Sequence, residues 1–388
     1  SRGAAPLYEK RVPLMYVSDS IGLGTMLVAI DACLARPGGL FYFWRAEKMK
    51  PRPVIGLVGM EGAYGRWLRR FFHERMGLEV VGRDPAAADS LSESELIERA
   101  DVLIFSAPIR QTAALIREYV RIADGRERGK LWLDVTSIKS APVAAMLESQ
   151  AEVAGLHPMT APPKSPTLKG RVMVVCEARL DQWRDWLQHT LDALEAECVR
   201  SEPERHDRLM ALVQAMVHAS HLVQAAVLRD YAAELGELDA LMPFRSASFE
   251  LDTAIIARIL SMNPAIYEDI QFGNPYVPEM LEKLSNHLTE LTGLVKAGDD
   301  NARAAFRHEF LQASHDALGA KALDHGNYSF EKLGYLLADM TEVRTLSVHL
   351  PVDRPGSLRA LLHVFERHGV SLSSVHSSRT PEGEVHFR

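Results

Sequence analysis

His157 stands in Gly155-Leu156-His157-Pro158-Met159, directly after a short apolar run, and Pro158 fixes the backbone beyond it. A histidine so placed can take a hydroxyl proton near neutral pH while hydride leaves the same carbon. Ser137, in Asp134-Val135-Thr136-Ser137-Ile138-Lys139, is a residue type that orients such an imidazole or the substrate hydroxyl. A loop histidine holding a structural hydrogen bond fits the same pattern. A second kind of chemistry is written in Gly59-Met60-Glu61-Gly62-Ala63-Tyr64-Gly65. Glycines at a strand–helix turn let backbone amides approach a pyrophosphate at a helix N-terminus. Gly62 and Gly65 keep the last two positions of G-x-G-x-x-G, Met60 occupies the first, and Gly59 serves the turn. Asp84 lies 19 residues past Gly65. An acid there accepts hydrogen bonds from ribose hydroxyls and repels a 2′-phosphate, which favours NAD over NADP, although Arg83 beside it blurs the choice. A glycine-rich turn that binds nothing is the alternative.

Further along, His206, Gln214, His218 and His221 gather on one helical segment, and the spacing of Gln214, His218 and His221 puts those three on a shared face. The His218–His221 pair lacks an acid or cysteine at ligand spacing, so no metal is expected. Arg258 sits in the apolar stretch Thr253–Leu260. A guanidinium there needs an anion, from the protein or from a ligand, because burying it unpaired is costly. Arg245 is similar but lies in a loop.

These residues need a frame. Val54–Val58, Leu78–Val81, Val102–Ala107, Leu131–Val135 and Glu152–Leu156 read as buried strands alternating with amphipathic helices, with Val172–Cys176 and Cys198–Arg200 beyond. That rhythm predicts an α/β fold with a doubly wound, mainly parallel sheet. The loops holding Pro108, Ser137 and His157 then fall at strand C-termini, where such sheets place ligands. Residues 203–342 show helical spacing only, so an all-α domain follows. Thr345–Leu350, the turn Asp353-Arg354-Pro355-Gly356, a helix Ser357–His368 and strands Val370–Ser378 and Glu384–Phe387 form a βαβ unit with the start of a hairpin. The division expected is 1–50, a leader that is disordered or a non-native start with Met49 as the natural one; 51–200, nucleotide-binding; 201–342, helical; and 343–388, a partial regulatory module.

The totals exclude several partners. A net charge of −7 argues against nucleic acid, which needs a basic face. The apolar run Ile21–Ile30 stops at Asp31, too short to span a bilayer. Cys33, Cys176 and Cys198 are odd in number and form no C-x-x-C, so neither a disulfide framework nor a thiolate zinc site is supported and a cytoplasmic setting is expected.

From about Val54 to Met340 the chain resembles the prephenate (cyclohexadienyl) dehydrogenase family of tyrosine biosynthesis. The resemblance rests on the glycine turn, the Asp134–Lys139 and Gly155–Met159 motifs, His206-Asp207 with Gln214 and His218, and Glu250–Arg258 leading to Asn263-Pro264-Ala265-Ile266-Tyr267. It implies a Rossmann domain followed by a helical dimerisation domain, hence a homodimer. It also implies oxidative decarboxylation of prephenate with NAD: His157 accepts the ring-hydroxyl proton, Ser137 bonds that hydroxyl and the histidine, Arg258 binds the ring carboxylate, and His218 lines the pocket. Arogenate, or both compounds, is the rival substrate; a non-catalytic regulatory relative is the rival class. Thr345–Arg388 resembles the first half of an ACT domain, which implies an aromatic amino-acid effector.

Overall fold

The computed structural model describes residues 52–87, 90–341, 348–350, 354–372, 375, 377–379 and 385–387. The leader, Cys33, Asp353 and the starts of the expected strands at Thr345 and Glu384 lie outside them.

The expected doubly wound sheet is present. Seven strands lie in the order β2-β1-β3-β4-β5-β6-β7, with β1 Ile55–Val58, β2 Val80–Arg83, β3 Val102–Phe105, β4 Leu131–Asp134, β5 Glu152–Pro158, β6 Val172–Arg179 and β7 Glu197–Arg200. Helices α1 (Ala63–Arg70), α2 (Glu93–Arg99), α3 (Ile109–Ala123), α4 (Ser140–Leu147) and α5 (Arg184–Ala193) make the connections. β1, β3 and β4 are buried at every residue, as continuous apolar runs covered on both faces must be. Ser92 starts α2 with a capping box: its hydroxyl accepts the Glu95 N–H while the Glu95 side chain returns to the Ser92 N–H. β2 lies two residues later than the sequence spacing suggests, still ending just before Asp84.

One departure from parallel order separates β5 from β6, which pair antiparallel. A parallel return needs a crossover helix. Residues 159–171 contain Pro162, Pro163 and Pro166 and form none, so the chain turns straight back.

The helical part begins with α6 (Pro203–Met210), which runs through a π-helical turn, Ala211–Met216, into α7 (Val217–Leu235). Then come α8 (Leu238–Leu241), α9 (Ala247–Ser261), α10 (Pro264–Gly273), α11 (Val277–Ala297), α12 (Asp300–Phe306), α13 (Ala313–Leu318) and α14 (Ala320–Thr341). Ser246 caps α9 and Asn263 caps α10, with Pro264 at its first position. Pro203–Leu235 is long and apolar enough to cross a membrane by length and composition alone, and only 17% of its most apolar window is buried. Val223, Val227, Tyr231 and Leu235 recur every four residues and are each at least half exposed. Four-residue spacing aligns them as one stripe along α7. The last elements are β8 (Val348–Leu350), α15 (Ser357–Arg367), β9 (Ser377–Arg379) and β10 (Val385–Phe387), with β10 central and antiparallel to both neighbours.

Candidate active site

The turn between β1 and α1 is built only from backbone that glycine permits. Gly59 has φ +85°, and a Cβ there would sit 2.5 Å from the Ser106 carbonyl oxygen. A Cβ on Gly65 would run into the Gly59 carbonyl and lie 2.7 Å from that of Met60. Gly62 is exposed and caps α1 without any side-chain bond, which leaves its first N–H groups without a side-chain acceptor. Met60, the departure from the usual spacing, lies over Gly82 of β2, where a Cβ would come within 2.9 Å of the Met60 Cβ. The turn therefore keeps its shape, and the extra side chain is housed by a glycine in the neighbouring strand.

Asp84 follows β2 and clasps the turn. Its carboxylate accepts the Glu61 N–H at 2.9 Å and the Ala86 N–H at 2.9 Å. Arg83 points elsewhere: it donates to the Leu91 carbonyl at 3.0 Å and pairs with Glu93. A cleft of about 700 Å³ opens beside them, lined by Met60, Glu61, Gly82, Ala86 and Leu91. Pro108 stands at the N-cap of α3 beyond β3, with no side-chain bond to offer. These residues fit a dinucleotide: a cradle that any Cβ would fill, exposed helix-start amides and an acid at the end of β2.

His157, on β5, is 2% exposed. Its Nδ1 lies 2.9 Å from His206 Nε2, and His206 Nδ1 lies 2.8 Å from an Asp207 carboxylate oxygen. The directions follow from donor chemistry. A carboxylate only accepts, so His206 Nδ1 carries a hydrogen; its Nε2, when neutral, accepts from His157 Nδ1–H; and His157 Nε2 keeps a lone pair. Burial, then the neighbouring His206 and Lys139, hold His157 well below the ordinary histidine value, so it is a neutral acceptor. Burial alone would raise Asp207, but hydrogen bonds from His206, Ser140 and Lys139 outweigh it and keep the carboxyl below its ordinary range.

The Asp134–Lys139 motif is the floor beneath this chain. Lys139 and Asp134 are fully buried; the ammonium bonds an Asp134 oxygen and donates to the Leu156 carbonyl at 2.8 Å. Thr136 Oγ1 donates to Asp134 at 2.7 Å. Gly155 leaves room for the lysine, since a Cβ there would lie 3.0 Å from Lys139 Cδ. Ser137 is half-buried, and among the described residues its hydroxyl has no protein partner; the bond His157 makes is to His206.

A second group gathers around α7. His218 stands edge-on to Tyr267, with ring centroids 4.8 Å apart. Burial, then His221 and Arg258, lower its pKa. His218 Nδ1 and Gln214 Oε1 are buried without a hydrogen-bond partner. His221 is spoken for by the Val217 carbonyl and Asp252. Arg258 differs from the sequence expectation of a buried guanidinium. α9 turns Thr253, Ile256 and Ile259 inward at 4%, 7% and 5% exposure, which leaves Arg258 on the exposed side with no ion pair among the described residues. Arg245 pairs internally with Glu250 at 3.1 Å.

Reasoning from residue types missed the partnership of His206 and Asp207 with His157, and the buried Asp134–Lys139 pair. An acid directly after a histidine at a helix start was the available signal, but nothing in the spacing told which distant residue it would meet.

The chain is similar to known proteins over much of its length. The model described as "Prephenate dehydrogenase, nucleotide-binding domain" matches residues 79–201, "Prephenate dehydrogenase, dimerization domain" matches 202–310, and "ACT domain" matches 344–388. The glycine turn precedes the first of these spans. A "Probable arogenate/prephenate dehydrogenase" of Methanocaldococcus jannaschii is 28% identical over 76% of this chain and 70% of its own length. The "T-protein" of Enterobacter agglomerans is 27% identical over 65% of this chain and 64% of its own. Among solved structures, prephenate dehydrogenase from A. aeolicus in complex with hydroxyphenyl propionate and NAD+ superposes with TM-score 0.53 at 17% identity, covering 68% of this chain and 97% of that one. Synechocystis arogenate dehydrogenase gives 0.51 at 18% identity, covering 71% and 99%. The two dehydrogenase-domain matches run without interruption from β2 to β7 and on through α6, so they include His157, His206 and Asp207, and the chain belongs to the prephenate dehydrogenase family of oxidoreductases, with nucleotide-binding, dimerisation and C-terminal ACT domains.

Proposed function

We infer that the protein oxidatively decarboxylates prephenate to 4-hydroxyphenylpyruvate with NAD. The observation that carries the reading is the buried His157, whose Nδ1 is occupied by His206 so that Nε2 is left as acceptor. Bound NAD supplies the acceptor for the hydride that leaves the carbinol carbon. Gly59, Gly62 and Gly65 admit its pyrophosphate and Asp84 takes its ribose hydroxyls, while Arg83, held by Glu93, is not free to welcome a 2′-phosphate. His157 Nε2 takes the ring-hydroxyl proton as the carbinol becomes a carbonyl. It returns the proton to the phenolate oxygen once the ring carboxylate has left as CO₂ and its bonding pair has aromatised the ring. Ser137 offers its hydroxyl to the same substrate oxygen. Arg258 binds the ring carboxylate, and Gln214 and His218 face the rest of the substrate with the two buried polar atoms that lack protein partners.

Arogenate is the second reading, supported by the arogenate/prephenate dehydrogenase of M. jannaschii and the arogenate dehydrogenase fold. The two substrates differ in side-chain charge. Turnover of each, with NAD and with NADP, tests both choices at once; reduced cofactor from arogenate alone overturns the substrate assignment. The exposed α7 stripe and the dimerisation-domain match support a homodimer, and the ACT match supports an aromatic amino-acid effector. Sedimentation, and activity with added tyrosine or phenylalanine, check these two.

A further inference from the structure

His157 presents a difficulty as a base. Burial, His206 and the Lys139 ammonium all oppose a positive charge on its ring. The charged groups around it are Lys139 with Asp134 from β4 and its loop, and Asp207 from α6; Cys176 on β6 is buried nearby. Asp207 is the anion not spent on an ammonium, and it touches His206 instead of His157. A proton that stayed on His157 would leave the charge on the wrong ring.

The geometry removes the difficulty without moving a heavy atom. We propose that His206 is a positioning residue that takes the charge in a second proton transfer: as His157 Nε2 receives the substrate proton, His157 Nδ1 passes its own to His206 Nε2, leaving an imidazolium against Asp207. Before the step His157 Nδ1–H donates to His206 Nε2; after it His206 Nε2–H donates to His157 Nδ1. The 2.9 Å and 2.8 Å hydrogen bonds serve both states. The substrate O–H and the His157 Nδ1–H bonds break as the His157 Nε2–H and His206 Nε2–H bonds form, and His157 stays neutral throughout. The transfers reverse when the phenolate oxygen reclaims its proton. The helical domain thus supplies half of the base that the nucleotide domain presents, since His206 and Asp207 lie on α6 while His157 is the next-to-last residue of β5. This rests on the reading of His157 as the base.

The test is single-turnover formation of reduced cofactor from prephenate and NAD in mixtures of light and heavy water. Two protons in flight predict a curved dependence of rate on deuterium fraction in the wild type. In His206→Gln the amide oxygen still accepts from His157 Nδ1–H but no proton can be taken up. That variant is expected to lose about tenfold or more in rate, with KM and NAD affinity unchanged and a linear dependence. A linear dependence in the wild type, or His206→Gln turning over within about twofold of it, overturns the relay. Should His206→Gln fail to fold, the wild-type curve decides alone. His157→Asn distinguishes the two readings: loss of turnover there with a fully active His206→Gln sinks the relay and leaves His157 as the base, whereas an active His157→Asn sinks both.

Discussion

The Asp207 carboxylate accepts the backbone N–H of Lys139 at 2.8 Å, bonding the start of the helical domain to the loop behind β4. Its other oxygen accepts the Ser140 N–H at 2.9 Å, and Asn274 donates to the Asp207 backbone carbonyl at 2.8 Å. The same acid that orients His206 therefore joins three segments far apart in sequence, and stability and the orientation of His206 share one residue.

Asp207→Ala leaves the buried Lys139 amide, the half-buried Ser140 amide and a buried histidine without their acceptor. Removing one member of a buried charged network costs roughly 3–5 kcal/mol. Urea unfolding should show a loss of that size. A loss below about 1 kcal/mol, the ordinary scale of a surface change, would mean that the network is not holding the domains together.

His157 should make stability pH-dependent. Its folded pKa is depressed, so the unfolded chain binds a proton that the native chain refuses, and stability rises with pH. The dependence begins as pH falls below the unfolded value of about 6.5 and continues down to the folded pKa. Acidification below about pH 6.5 should therefore lower stability through this residue alone. Asp207 has a depressed pKa too, but its contribution is lost only below the carboxylate range. His157→Asn should flatten the profile below about pH 6.5; an unchanged slope would show that His157 is protonated in the native state.

Much of this was legible in the sequence, and the parts that were not share a cause. The alternation of strands and helices and the glycine turn are local: the spacing of Gly59, Gly62 and Gly65 is a backbone requirement that needs no distant residue. What stayed hidden was pairing across the chain. His157 and His206 are 49 residues apart and Lys139 and Asp207 are 68 apart, so no periodicity relates them. The exposure of Arg258 was hidden for another reason. An apolar helix can bury one stripe and show another, and Ile255 and Leu260, at 37% and 64% exposure, lie with Arg258 on the exposed positions of α9.

Gly65→Ala should abolish cofactor binding. The added methyl has no space between the Gly59 and Met60 carbonyls, so the turn must open. A rise in NAD Kd of about a hundredfold or more corresponds to roughly 3 kcal/mol. Fluorescence titration reads it, and near-native affinity would show that the pyrophosphate binds elsewhere.

Asp84→Asn should relax the preference for NAD. The amide keeps one acceptor for the Glu61 or Ala86 N–H and loses the charge that repels a 2′-phosphate. The NAD-to-NADP ratio of kcat/KM is expected to fall about tenfold, or roughly 1.4 kcal/mol. A ratio that does not move would place discrimination at other residues, with the exposed Arg66 and Arg69 beside the cleft the next to substitute.

The most direct test mixes the purified protein with prephenate and NAD and follows reduced cofactor and CO₂ together, beside His157→Asn. The account predicts one CO₂ per cofactor reduced in the wild type, and in the variant turnover reduced by about 10²–10⁴-fold with NAD affinity unchanged. Equal turnover by His157→Asn, or no reduced cofactor from prephenate or arogenate with either nicotinamide nucleotide, would contradict it.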